Sequence, residues 1–104
     1  MTDGRILGHD GIGVVEPVGT AVSEFHVGDK VIISCITACL KCDFCKRGIY
    51  SHCRHDGWIL GNTIDATQAE YVRIPYADGS LHHFPPGGDE KALVMLSDIL
   101  PTGF

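Results

Sequence analysis

The sequence predicts a small, mainly β protein carrying a cysteine-rich metal lobe and one C-terminal helix. Three observations lead there. Short Val- and Ile-rich runs stand between glycines, of which the chain has 13, a pattern of tight strands and turns rather than of a helical bundle. Four of the five cysteines are crowded into one short stretch. Only the segment after Asp89 has a helical period in its apolar residues. With 104 residues the chain is long enough for a single domain, 1–104, and shows no internal repeat or low-complexity stretch. Its Val, Ile, Leu and Phe number 29, enough for a thin core of the kind that a metal or a partner surface commonly reinforces.

Taken in order, residues 12–18 and 30–36 read as strands, with Val27-Gly28-Asp29-Lys30 turning the chain between them. Residues 37–56 form the cysteine lobe, and 57–67, with two glycines and no clean period, a loop returning from it. Residues 69–74 alternate and end at Pro75, as a strand with one wet face would. Asp78-Gly79 reads as a turn, and Leu81 to Phe84 as a short strand. Asp89 caps a helix with Glu90 at its positive end and Ala92, Leu93, Leu96 and Leu100 along one face, closed by Pro101 and Gly103.

Charge narrows the function classes. Eight Lys and Arg against 13 Asp and Glu give a net charge of −5 with no basic stripe. Nucleic-acid binding, which rests on neutralising phosphates, is therefore not expected. No apolar run approaches the roughly 20 residues of a membrane span, and Met1-Thr2-Asp3-Gly4 has no signal-peptide character. The expectation is a cytoplasmic protein without a membrane partner.

The spacing Cys39-x2-Cys42-x2-Cys45-x7-Cys53 is the strongest chemical signal. A Cys-x-x-Cys step lets two thiolates converge on one centre across a tight turn, and a fourth can complete a tetrahedron around Zn²⁺. Lys41, Lys46 and Arg47 offset the negative charge of such a site. An iron–sulfur cluster is the competing metal reading, although Arg54 stands where the ferredoxin pattern has Pro. Disulfides and unliganded thiols are the other readings. His52 or His55 could replace one cysteine in a Cys₃His site. Cys35 lies outside the spacing and reads as a buried core thiol. His82 and His83, neighbours on a strand, point to opposite faces and read as surface residues, and Trp58 as packing for the lobe or a cleft.

Gly8-His9-Asp10-Gly11-Ile12-Gly13-Val14-Val15, then Val18-Gly19 and Val27-Gly28-Asp29-Lys30-Val31, resemble the core signature of the medium-chain, zinc-dependent alcohol dehydrogenases. The cysteine spacing resembles that family's structural zinc lobe, and Gln68-Ala69-Glu70-Tyr71-Val72 its next strand. Asp98-Ile99-Leu100-Pro101-Thr102-Gly103 is similar to the segment that crosses into its cofactor domain. The resemblance implies a GroES-like β-barrel with structural zinc on Cys39, Cys42, Cys45 and Cys53. It implies a catalytic zinc ligated by His9 and Asp98, with Asp10 where the family has a Glu. Thr102 falls where the family's chain approaches the nicotinamide. The family's first catalytic ligand, a Cys upstream of the Gly-His motif, has no counterpart here, and no Gly-x-Gly-x-x-Gly follows a strand.

These features lead to an expectation of a domain fragment, cut at both ends. It would bind structural zinc, with occupancy of the second zinc site open, and be inactive as a dehydrogenase alone. NAD(P) would belong to the parent enzyme only, and the Rossmann domain would be the missing partner. The face at 89–104 is expected to be apolar and to self-associate. Two alternatives stand beside this: a stand-alone zinc or iron–sulfur module for interaction or electron transfer, and a minimal zinc-dependent enzyme reusing His9 and Asp98.

Overall fold

A computed structural model describes residues 3–104. Its centre is β2 (Lys30–Ile33), paired along both edges, with Val31, Ile32 and Ile33 all buried. On one side β1 (Gly11–Val14) runs antiparallel, Gly11 opposite Ile33 and Val14 opposite Lys30. On the other lies β3 (Leu81–His83), also antiparallel, with Ile33 opposite Leu81. Among the described residues the sheet has three strands in the order β1-β2-β3, open at both edges rather than closed into a barrel.

Both leading strands are shorter than the β-branched runs suggested. Beyond β1, Val15 still exchanges bonds with the turn, its amide donating to Asp29 at 2.8 Å and its carbonyl accepting from Gly28 at 2.8 Å. Pro17 has no amide to carry a ladder further. Past Ile33 the Ser34 amide still bonds the Ser80 carbonyl at 3.0 Å, in register with β3, and the chain leaves the ladder at Cys35, whose amide donates to the Ser97 carbonyl at 3.2 Å.

Residues 69–74, expected as a strand, form none. The alternation is present, with Val72 and Ile74 half-buried against the core and Tyr71 and Arg73 exposed. What is missing is a neighbouring strand: between this segment and the chain from β1 to Val22 lies a cleft of about 1410 Å³. Asp78-Gly79 is not a simple turn but the middle of the one-turn helix α2 (Ala77–Ser80); the helix α1 (Asp43–Lys46) lies earlier, in the cysteine lobe.

The C-terminal helix is broken. Asp89 caps α3 (Glu90–Leu93) as expected, its carboxylate accepting from the Lys91 amide at 3.1 Å. A 3₁₀ turn (Val94–Leu96) follows, and Asp98, at φ −150° and ψ −56°, leaves the helical path before α4 (Ile99–Gly103) begins. Pro101 does not end a helix but sits in the first turn of α4, where its missing amide has no intrahelical partner to lose. Leu96, Ile99, Leu100 and Phe104 stand exposed.

Two apolar clusters result. One lies under the sheet and comprises Phe25, Val31, Ile33, Leu60, Ala66 and Leu81; the other is the lobe, with Ala38, the four spaced cysteines and, at its edge, Phe44. No helix of the described residues is long and apolar enough to cross a membrane.

Candidate metal centres

The lobe begins at a neck. Thr37 and Gly57 bond each other's backbone in both directions, at 3.0 and 2.8 Å. Ser80, fully buried, donates its hydroxyl to the Pro75 carbonyl at 3.0 Å and accepts from the Ala38 amide at 3.2 Å, tying the lobe to the sheet. Inside the loop, α1 (Asp43–Lys46) is capped by the Cys42 sulfur, which accepts from the Cys45 amide at 3.4 Å. A 3₁₀ turn (Tyr50–His52) then delivers Cys53.

The Sγ atoms of Cys39, Cys42, Cys45 and Cys53 lie within 4.8 Å of one another, all on buried residues, with no disulfide between them. Zn–S bonds of 2.3 Å at tetrahedral angles put sulfurs about 3.8 Å apart, and the Cys39–Cys45 separation is 4.0 Å. That spacing fits one ion, whereas a cluster would spread the sulfurs over several metal atoms. His52 and His55 are not in the group; His52 turns to Ser51 and Phe44, His55 to Tyr76.

Amides prepare the sulfurs for negative charge. Cys39 Sγ accepts from the amides of Lys41 and Cys42 at 3.4 and 3.3 Å, and Cys53 Sγ from that of Cys39 at 3.4 Å. Bonds from the Arg54 and Cys45 amides pull the Cys42 thiol down to about 6. At Cys53 the upward push of burial is outweighed by the amides of Cys39, His55 and Asp56. Burial pushes Cys45 up to about 12. Four soft donors, with Cys42 and Cys53 already held down by neighbouring amides, suit zinc.

A second group forms at the end of the sheet from residues 89 positions apart: His9 Nε2 and Asp98 Oδ2 are 2.8 Å from each other. With Asp10 they place one donor atom each within 4.8 Å. His9 is positioned by a backbone strap, in which Ala66, Thr67 and Gln68 donate to the carbonyls of Ile6, Gly8 and Leu7. Gly8 makes the strap possible: at φ +95°, a Cβ there would meet Thr67 Oγ1 at 2.6 Å.

Asp98 is positioned by its neighbour. Ser97, 3% exposed, accepts from the Gly11 amide and donates to the Gly11 carbonyl through its hydroxyl, while its own carbonyl holds Cys35. Asp98 in turn accepts from the Thr102 hydroxyl, which with His9 holds its carboxyl below the usual range. Thr102, expected near a nicotinamide, thus bonds the Asp98 carboxylate. An imidazole and two carboxylates make a donor set of borderline hardness that suits zinc.

Two expectations fail here. Cys35 is half-buried rather than a core residue, and its thiol faces Asp98, with Asp10 also near; burial and these carboxylates push it up to about 11. Trp58 packs neither lobe nor cleft, being 56% exposed. His82 and His83 are both exposed, His83 stacking on Phe25. The sequence reading missed Ser97; a lone buried hydroxyl beside Asp98 among apolar helical residues was its only signal.

Fold and side chains together define a small sheet domain with two metal-competent clusters, one of four thiols and one of histidine and carboxylates. The family model for the alcohol dehydrogenase GroES-like domain matches residues 2–86, and the chain belongs to that family. It is 42% identical over 101 residues to zinc-type alcohol dehydrogenase B of Aspergillus flavus, spanning 97% of this chain and 24% of that protein. A medium chain reductase/dehydrogenase of Acremonium is also 42% identical over 101 residues, 97% of this chain and 35% of that one. Among solved structures, zinc dependent alcohol dehydrogenase 2 of Streptococcus superposes with a TM-score of 0.90 and 56% identity, over 99% of this chain and 28% of that one. The chain thus spans about a quarter to a third of the length of these relatives.

Proposed function

We propose that the chain is the zinc-binding, catalytic-domain portion of a zinc-dependent alcohol dehydrogenase and is inactive as a dehydrogenase alone. In this reading residues 1–104 are one partial GroES-like domain, 37–56 its structural zinc lobe and 89–104 the helical segment leading to a Rossmann domain. The parent protein is cytoplasmic. In the longer chain a strand alongside 69–74 completes the barrel. The observation that carries the reading is the meeting of four cysteine sulfurs within 4.8 Å of one another in a chain of this family.

Cys39, Cys42, Cys45 and Cys53 hold the structural ion, and His9, Asp98 and Asp10 face the second. The ion at that second site, when bound, supplies Lewis acidity towards an alcohol oxygen. The chain's own residues do the positioning: Ser97 fixes Asp98 against β1, the strap at Gly8 aims His9, and Thr102 orients the Asp98 carboxylate. Hydride acceptance requires a nicotinamide, and the 104 residues offer no glycine-rich turn after a strand to hold its pyrophosphate.

Metal content per chain, by mass spectrometry on protein purified without added metal, tests the assignment. About one zinc supports a formed lobe with an empty second site, and about two support occupancy of both. No metal, or iron with sulfide, overturns it. NAD(P)-dependent oxidation of simple alcohols by the pure chain overturns the inactivity. The exposed Leu96, Ile99, Leu100 and Phe104 make concentration-dependent self-association the expected behaviour in sedimentation, and a monomer at high concentration removes that part of the proposal.

A further inference from the structure

We propose that Asp3 is a modification site: at Asp3-Gly4 the folded chain converts aspartate to isoaspartate, while hydrogen bonds withhold the same reaction from its other Asp-Gly pairs.

The sequence holds four such pairs, Asp3-Gly4, Asp10-Gly11, Asp56-Gly57 and Asp78-Gly79. Each carries the parts of one reaction. The glycine nitrogen attacks Cγ of the aspartic side chain and closes a succinimide ring, and the side-chain hydroxyl leaves with the amide proton as water. Water then adds back. When it breaks the original bond from nitrogen to the main-chain carbonyl carbon, the glycine stays attached through Cγ and the chain is longer by one methylene. No oxidant or cofactor takes part. Glycine favours the attack because no Cβ crowds its nitrogen.

The attacking amide must first leave any acceptor that it is bonded to. At three of the pairs it is engaged. Gly11 donates to the Ser97 hydroxyl at 3.2 Å, Gly57 to the Thr37 carbonyl at 2.8 Å and Gly79 to the Tyr76 carbonyl at 3.0 Å. Gly57 is also hemmed in, since a Cβ there would meet the Ser51 carbonyl at 2.8 Å. Gly4 has no such restraint. Neither its amide nor the Asp3 carboxylate bonds a described residue, and both residues are exposed. A Cβ on Gly4 would meet nothing within 4 Å. The sheet is shielded from the change. Arg5 pairs with Asp65, and the Ile6 amide donates to the same carboxylate at 3.0 Å. The added methylene therefore falls upstream of the strap that aims His9.

The test incubates the full chain at neutral pH and body temperature. Isoaspartate is read as methyl groups transferred from S-adenosylmethionine by an isoaspartyl methyltransferase, and is located by peptide mapping with mass spectrometry. Asp3 is expected to accumulate it at least about fivefold faster than any other pair, the factor that one net amide hydrogen bond is worth. Asp3→Glu, whose longer side chain closes no succinimide, is expected to remove most of the methyl acceptance while lobe zinc is retained. In native hydrogen exchange the Gly4 amide should exchange freely and those of Gly11, Gly57 and Gly79 should be protected. Unfolding the chain in guanidinium chloride should bring the four rates together. Equal accumulation in the folded chain, label chiefly at another pair, undiminished methyl acceptance in Asp3→Glu, or a protected Gly4 amide each overturns the proposal. So does an equal lead of Asp3 in the unfolded chain, which would assign the preference to neighbouring residues rather than to the fold.

Discussion

Ser97 does its work with one hydroxyl, which both accepts from and donates to Gly11 at the start of β1. Replacing it with Ala leaves a partly buried amide and carbonyl without that partner, a loss of about 1 kcal/mol. Urea unfolding of Ser97→Ala should show a loss of this size, and any Co²⁺ uptake at the proposed His9–Asp98 site should weaken with it. Gly8→Ala should cost more than about 1 kcal/mol, because positive φ is combined with a 2.6 Å approach to Thr67 Oγ1; the same unfolding measurement checks it. Asp78 gives the pH dependence. The amides of Glu24 and Ser23 and the Ser23 hydroxyl hold its carboxyl below the usual carboxylate range. A depressed folded value stabilises fully above the unfolded one and is lost as pH falls through the folded value. Asp78→Asn should therefore lower the urea midpoint at neutral pH and show a smaller further loss than wild type as the pH falls below the ordinary carboxylate range. At this scale the sequence was legible only in part. Cysteine spacing announced the lobe because all four ligands fall within one short loop. His9 and Asp98 meet across 89 positions, so only the family resemblance paired them. Cys35 was misplaced because an apolar run says nothing about a carboxylate arriving from the far end of the chain.

Strands and helices were legible wherever their hydrogen-bond partners were. β2 is paired on both sides, and its apolar run became a buried strand. Residues 69–74 have an equally clear alternation, but a period of two describes only which side chains face inward; a strand also needs a neighbour for its amides. The same reasoning explains the broken C-terminal helix. Its apolar face predicted continuity, whereas the bonds of Ser97 to Gly11 and Cys35 pull the chain off the helical path. Leu60, fully buried between the sheet and the loop that returns from the lobe, is the clearest test of the packing at this level. Leu60→Ala should cost about 2–5 kcal/mol in chemical denaturation, without changing the zinc content of the lobe.

Across the whole molecule the two clusters are held by different forces. The sheet cluster contains Phe25, Val31, Ile33, Leu60 and Leu81 and coheres by burial of hydrocarbon. The lobe cluster is four cysteines with Ala38 and a partly buried Phe44, too little apolar surface to offset the entropy of ordering some twenty residues. Arg54 pairs with Asp43 and lies over the Phe44 ring, but an exposed pair of this kind contributes little. A strong chelator should therefore abolish amide-exchange protection across 38–56 while that of β2 persists. Simultaneous loss in both regions would mean that the sheet depends on the ion.

The pair of backbone hydrogen bonds between Thr37 and Gly57 brings the two ends of the lobe side by side. A loop whose ends adjoin can be removed and its stems rejoined by a short link without asking the rest of the chain to move. Residues 38–56 are in this sense a detachable cassette. Transplanted between relatives, the cassette would carry its metal preference with it, and the host would register the exchange through the bond from Ala38 to Ser80 and the ring contact of His55 with Tyr76.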